Sequence, residues 1–194
     1  MQAALRHQEV AGAHPDGTAN TPGTCVRAPG RLSIQEAYEP RGVSFGSGLA
    51  NPIGLQLRSY RPEGPLVAGT LEAEWEAGEE HQGIPGVVAG GILGAIVENQ
   101  GNWSAAVALM DNFDLRAPPL TVTSSYRVDL LKPAPVGQPL AVRCEVQYCT
   151  DVDVEVEVTI STRSPVHEGA EITCAIGQGS FKKIGPLRSF DAIL

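Results

Sequence analysis

One segment of the chain, residues 92–109, has the length of a helix and is apolar on nearly every side of its early turns. A helix of this kind needs apolar cover all round, and only the interior of a domain provides it. Glu98 is the exception within the segment, because a buried carboxylate loses its hydration at a large cost unless it has a partner. We therefore expect a central helix whose one acidic side chain has a functional role.

The segments around this helix have the period of strands. Strand patterns run through residues 55–60 and 66–75 before the helix, and through 120–128, 140–148, 152–160 and 172–181 after it. In the first strand after the helix, one side is expected to hold Leu120, Val122, Ser124, Tyr126 and Val128. Each strand has one apolar face, so a single sheet curled around the helix buries the apolar surfaces of both the sheet and the helix. The predicted fold class is α+β, the hot-dog fold, in which an antiparallel sheet wraps around one long central helix.

The N-terminal part of the chain differs from the rest in composition and periodicity. Residues 1–30 are rich in Ala, Gly, Pro and Thr and show no helical or strand period, which is typical of a loose arm. Residues 31–38 have a weak apolar face, which predicts a short helix. Short segments punctuated by glycine begin at Gly42. We predict a partly flexible N-terminal extension over residues 1–41 and one domain over residues 42–194.

Composition excludes several classes of partner. The net charge is −8 and no run of Lys and Arg occurs, so neither nucleic acid nor an anionic membrane surface is expected as a partner. No apolar window reaches the roughly 20 residues of a membrane helix and no apolar secretion signal is seen, so we expect a cytoplasmic protein. The four cysteines lack the spacing of a zinc site, and no metal is expected.

Gly90 and Gly91 stand at the predicted start of the apolar helix, and Glu98 follows two turns inside it. The first backbone N–H groups of a helix have no partner within it, and the helix dipole places positive charge there. Such a helix start suits a developing oxyanion. The alternatives are that the glycines only allow close packing, and that Glu98 is a structural polar group paired with an Arg or capped by its neighbours.

The motifs of the chain resemble those of a known family. They are Ser-Phe-Gly-Ser-Gly at 44–48, Asn-Pro-Ile-Gly-Leu at 51–55 and the stretch from His81 to Gly91, with Glu98 nine residues after Ala89. Over about residues 42–184 the chain is similar to the acyl-CoA thioesterases of the hot-dog superfamily, in particular the phenylacetate-pathway (PaaI-like) branch. Two positions depart from that pattern. Ala89 stands where the family usually has His, and Gly83, beside Gln82, stands where many relatives carry Asn or Gln.

The resemblance implies a thioester hydrolase that needs no cofactor, since coenzyme A belongs to the substrate. The carbonyl would be polarised by the Gly90 N–H, with Gly91 beside it, and Glu98 would act as nucleophile or general base. Gly90 and Glu98 are about 12 Å apart along one helix, too far to reach one carbonyl together. We therefore expect the two groups of one site to come from two chains of a homo-oligomer, a dimer or a dimer of dimers.

Further residues are assigned by position. Asn102 shares the helical face of Glu98 and is placed to orient water or the acyl group. The small residues Gly94 and Ala95 leave room for an acyl chain. Substrate contacts are also expected from His81, Gln82 and Ala89, although His81 on sequence alone favours a loop residue that hydrogen-bonds backbone. Basic residues that could reach the phosphates of coenzyme A, if they are not simply solvated, are Arg127, Lys132, Lys182 and Lys183.

Two other functions stay open. A hot-dog hydratase or dehydratase would use a His and a Glu to act on the alpha and beta carbons of the acyl chain, and the presence of His81 and Glu98 keeps that alternative open. A non-catalytic acyl-CoA binding protein is the other, because Ala89 replaces the family His.

Overall fold

The structure, a computed structural model, describes residues 24–25, 30–164 and 169–186. Of the loose arm expected over residues 1–30, residues 1–23 and 26–29 lie outside the described residues, whereas Thr24 and Cys25 form a short strand that pairs with Glu76 and Trp75. The elements in chain order are β1 (Thr24–Cys25), α1 (Ile34–Tyr38), β2 (Leu71–Glu76), a short 3-10 helix (Glu79–His81), β3 (Gln82–Ile84), β4 (Val87–Val88), α2 (Gly90–Asn112), β5 (Pro119–Leu130), β6 (Pro139–Cys149), β7 (Asp153–Arg163) and β8 (Glu171–Pro186).

One antiparallel sheet wraps around α2. Its strand order is β1-β2-β6-β7-β8-β5, so β5 is an edge strand. The side chains between sheet and helix form one apolar core, in which Ile96 and Leu109 of α2 are fully buried with Trp75, Leu140 and Ile160 of the strands. The predicted fold class is confirmed. No helix among the described residues is both long enough and apolar enough to span a membrane.

The helix approaches β8 closely because glycines leave room for it. A methyl group on Gly177 of β8 would lie 2.1 Å from Cγ1 of Val97. A methyl group on Gly101 of α2 would lie 2.6 Å from Cζ of Phe181. Real side chains essentially never approach so closely, so any larger residue would force helix and sheet apart. These two contacts fix the depth at which α2 lies in the sheet.

The strand predicted over residues 55–60 is wrong. Gln56 has a φ of 50°, which interrupts an extended backbone. The N–H groups of Leu55 and Leu57 donate to the carbonyls of Phe45 and Gly46 at 2.7 and 2.9 Å, so this part of the segment pairs with a loop. The segment meets the sheet at one isolated bridge, between Tyr60 and Glu72 of β2. The strand predicted over 66–75 begins only at Leu71.

Strand β5 contains two register shifts, between Leu120 and Thr121 and between Thr123 and Ser125. Such bulges turn a strand so that its side chains change face. Thr121 is buried whereas Val122 is 41% exposed, so the expected apolar side is wrong for the first half of the strand. Regular alternation could not reveal this change of face.

The predicted short helix is confirmed as α1, with Ser33 as its N-cap. Ile34 belongs to the apolar core, although this segment falls in the predicted extension. The buried Gln35 donates to the Ser59 hydroxyl at 2.8 Å, and Ser59 donates to Oε1 of Gln100 at 2.8 Å. The described residues 30–41 thus pack on the domain and contact the central helix through Ser59.

Candidate active site

The start of α2 presents backbone donors that the protein itself does not use. Ala89 is the N-cap and its methyl side chain cannot accept a hydrogen bond from the helix. Within the described part of the chain, the N–H groups of Gly90 and Gly91 have no hydrogen-bond partner. A methyl group on Gly91 would meet no atom within 4 Å, so packing does not explain that glycine. Unused N–H groups at a helix start attract negative charge.

A cavity of about 240 Å³ lies beside this helix start. Gly90 and Leu93 of α2 line it together with Val88, Leu130 and Lys132. Its lining is mainly apolar and carries one cation. Of the four basic residues considered for coenzyme A phosphates, only Lys132 lines this cavity.

The other three basic residues are placed elsewhere. Arg127 pairs with Asp129 at 2.8 Å, and both side chains are largely exposed. Lys182 pairs with Asp153 at 3.2 Å. The Lys183 ammonium lies 6.0 Å from the ring centre of Phe113. In this single chain, none of them is shown to contact the residues at the start of α2.

Four predicted site residues, Gly90, Gly94, Glu98 and Asn102, follow one another at intervals of four along one face of α2. Strand β5 runs beside this face in the opposite direction. A methyl group on Gly90 would lie 2.7 Å from Cδ1 of Leu130. The structure thus brings these residues onto one stripe next to the edge of the sheet.

The carboxylate of Glu98 is half-buried and accepts a hydrogen bond from the Thr123 hydroxyl of β5. Asn102 continues the contact, because its Nδ2 lies 3.4 Å from Oγ1 of Thr123. Oδ1 of Asn102 accepts from the Thr121 hydroxyl at 2.8 Å. Two threonines therefore hold the acid and the amide against β5.

No basic side chain among the described residues forms an ion pair with Glu98, and neither Asn99 nor Gln100 donates to it. The structural alternative for Glu98, a pair with an Arg or a cap by its neighbours, is not what this single chain shows. A hydroxyl that donates to a carboxylate orients it while leaving its second oxygen available. Sequence reasoning missed Thr123 and Thr121, because the bulge that turns them toward α2 leaves no signal in the alternation of residues.

His81 and Gln82 are tied to their own loop. Nδ1 of His81 accepts from the Gly78 N–H at 3.1 Å, and the ring stands edge-on to Trp75 at 5.0 Å. A carboxylate oxygen of Glu80 lies 3.5 Å from the same Nδ1, but a ring nitrogen that accepts a hydrogen bond from Gly78 carries no hydrogen to donate to Glu80. The Gln82 amide donates to Glu79 and accepts from Gly86. Both side chains are therefore hydrogen-bonded within this loop.

Ala89 lies beside that same loop, since a methyl group on Gly83 would be 3.0 Å from Cα of Ala89. Ala95 is half-buried and packs at the margin of the core.

Burial raises the pKa of the Cys144 thiol, in keeping with a core residue. Among the described residues no group of three or more His, Cys, Asp or Glu side chains could hold a metal ion.

Comparisons with known proteins bear on the fold. No family model and no curated protein matches the chain. Among solved structures, it is similar to the PaaI protein of the E. coli phenylacetic acid degradation operon, with a TM-score of 0.55 and 14% identity over 70% of this chain and 84% of that one. The chain has the hot-dog fold.

Two further similar structures hold a ligand. A Streptococcus mutans UA159 protein bound to acetyl-CoA has a TM-score of 0.53 and 12% identity, over 68% of this chain and 91% of that one. A hypothetical thioesterase of Streptococcus pneumoniae TIGR4 with coenzyme A has a TM-score of 0.51 and 13% identity, over 64% of this chain and 85% of that one. At these identities the likeness concerns the fold.

Proposed function

We propose that the protein is an acyl-CoA thioesterase of the PaaI-like branch, which hydrolyses its substrate at a site shared by two chains. The observation that carries this proposal is the stripe on α2, where the unused N–H groups of Gly90 and Gly91 and the Thr123-held carboxylate of Glu98 lie on one side of the helix. The ligands of the two streptococcal proteins support an acyl-CoA as the substrate class.

The chemistry follows from these groups. The thioester oxygen would accept a hydrogen bond from the Gly90 N–H, which stabilises the oxyanion as the carbonyl carbon is attacked. In one route Glu98 attacks that carbon, an anhydride forms as the thiolate of coenzyme A leaves, and water then cleaves the anhydride. In the other route Glu98 takes a proton from a water that attacks the carbon, and the tetrahedral intermediate expels the coenzyme A thiolate, which receives that proton. Thr123 positions the carboxylate in both routes. Asn102 orients the water or the acyl group, and no cofactor is required.

The open edge of β5 supports the shared site. An exposed edge strand presents unpaired backbone groups that invite another strand. On β5 the apolar side chains of Val122, Tyr126 and Leu130 are 41%, 49% and 58% exposed. An antiparallel pair of β5 strands with its two-fold axis near Arg127 would set Leu130 of one chain opposite Thr123 of the other. Gly90, which Leu130 covers, would then face the partner's Glu98.

The open face of α2 is compatible with the same dimer. Gly91 is exposed and Ala95 is half-buried, so this side of the helix is lined by small residues and left uncovered. Small residues let two helices approach closely. A second chain placed across β5 would cover this face and exclude water from Glu98, which strengthens its interaction with the substrate.

A non-catalytic acyl-CoA binding protein is the second candidate, and the observation that favours it is Ala89. The N-cap carries no polar side chain, so the helix start can hold an anion or a carbonyl without the additional group that relatives have. Binding requires the backbone donors alone, whereas turnover requires Glu98 as well.

An assay with two substrate classes separates these functions. The purified protein is incubated with a panel of acyl-CoAs while free thiol is followed, and with enoyl-CoAs while loss of conjugation is followed. We expect thiol release by the wild type and a fall of at least about 100-fold in Glu98→Gln, the range for loss of an acid–base group. The matched control is Glu155→Gln, on an exposed glutamate of β7. Enoyl turnover without thiol release would establish the hydratase alternative, and binding without either reaction would establish the second candidate.

A further inference from the structure

The side chain of Tyr126 lies over Gly94, a residue without a side chain in the middle of the helix stripe. A methyl group on Gly94 would be 3.9 Å from the Tyr126 hydroxyl oxygen and 4.0 Å from its ring carbon Cε2. Gly94 stands midway between Gly90 and Glu98, about 6 Å from each along the helix. The ring therefore occupies the space between the oxyanion donor and the carboxylate of the same chain.

Tyr126 reaches this place because of the bulge in β5. The register shift between Thr123 and Ser125 allows Thr123 and Tyr126, three residues apart, both to turn toward α2. In a regular strand two residues three apart would point to opposite faces. The bulge that positions the hydroxyl beside Glu98 thus also positions this ring.

The ring is not held by the core of its own chain. Tyr126 is 49% exposed. Its hydroxyl has no hydrogen-bond partner among the described residues. A half-exposed ring over a glycine does little for the packing of this chain. In the proposed dimer the ring lies near the two-fold axis, next to the path from Gly90 toward Gly94, where a bound acyl group would contact it.

An acyl group bound at the helix start would meet this ring. From a carbonyl at Gly90, a chain that follows α2 toward Gly94 travels about 6 Å, roughly four or five carbon–carbon bonds of about 1.5 Å in zigzag, before it contacts Tyr126. Gly94 and Ala95 would otherwise leave the path open. Tyr126 is the bulkiest side chain on this part of the stripe.

We propose that Tyr126 is a specificity-determining residue, which closes the acyl pocket over Gly94 and restricts the site to short acyl groups. This inference rests on the proposed function. The ring acts through its volume, so its hydroxyl is not required.

The test is a chain-length profile. The value of kcat/KM is measured for straight-chain acyl-CoAs from acetyl to palmitoyl with the wild type, Tyr126→Ala and Tyr126→Phe. We expect the wild type to favour the short end. Tyr126→Ala should raise the ratio of long-chain to short-chain kcat/KM by at least about tenfold, the effect of one or two methylenes in a pocket. Tyr126→Phe should keep the wild-type profile, and so should Tyr148→Ala, a 53% exposed tyrosine on β6.

If Tyr126→Ala fails to fold, Tyr126→Val, which keeps strand propensity, takes its place with the same expected shift. An unchanged profile in active variants would overturn the role of Tyr126 and leave the proposed function intact. If no protein releases thiol, the proposed function fails. The length preference is then measured by binding of the same series, where equal preferences in wild type and Tyr126→Ala would overturn the role of Tyr126 as well.

Discussion

Substitution of Thr123 by valine tests how the carboxylate is positioned. The Thr123 hydroxyl is the one group among the described residues that donates to the Glu98 side chain. Valine has nearly the same shape and lacks the donor. A hydrogen bond to a charged group contributes about 1.5–3 kcal/mol. If all of it serves the transition state, kcat should fall roughly 10- to 150-fold, at about 1.4 kcal/mol for each factor of ten.

The assay is steady-state thiol release, with kcat and KM determined separately. We expect Thr123→Val to lower kcat with little change in KM, because the carboxylate acts on bound substrate. Thr123→Ser keeps a hydroxyl and should retain most activity. Thr159→Val, on a strand residue with no side-chain hydrogen bond among the described residues, is the matched control. A folded Thr123→Val protein with wild-type kcat would refute the positioning of Glu98 by this hydroxyl.

Two predictions concern stability. Gly177→Ala should lower the free energy of unfolding by about 1–3 kcal/mol, because the new methyl group would lie 2.1 Å from Val97. The control is Gly185→Ala, where a methyl group meets no atom within 4 Å. Equal losses of stability for the two variants in urea unfolding would contradict this reasoning. The Arg143 guanidinium that donates to Glu171 lowers the pKa of that carboxyl from 4.5 to about 2, so the pair stabilises the fold above pH 4.5 and this stabilisation is lost as the pH falls toward 2. Both side chains are about half exposed, so Arg143→Gln should cost at most about 1 kcal/mol at neutral pH. This difference should shrink in unfolding measurements below pH 4.5, and a difference independent of pH would contradict the assignment.

The elements that the sequence predicted correctly are those whose pattern has one physical cause. A helix that is apolar all round must be central, and strands with one apolar face must cover it, so the architecture follows from residues 92–109 and the strands after them. The strand prediction for residues 55–60 was wrong because Leu55 and Leu57 alternate as in a strand, yet they pair with the loop that carries Phe45. Alternation reports which residues are buried and not what they are paired with.

The stripe of candidate residues on α2 was predictable because helical spacing places Gly90, Gly94, Glu98 and Asn102 on one face. What contacts that face was not predictable, since Thr123 and Tyr126 reach it only through a bulge in β5. His81 and Gln82 stood out as polar residues of a motif, but their hydrogen bonds to neighbouring backbone are visible only in three dimensions.

Subunit mixing tests the shared site most directly. Gly90→Pro removes the N–H donor at a helix position that tolerates proline, and Glu98→Gln removes the carboxylate. Each variant alone should release thiol at least about 100-fold more slowly than the wild type. When equal amounts are co-refolded, half the dimers are mixed and each of these has one intact site, so about a quarter of wild-type activity should return. No recovery in dimers shown to be mixed would contradict a site built from Gly90 of one chain and Glu98 of the other.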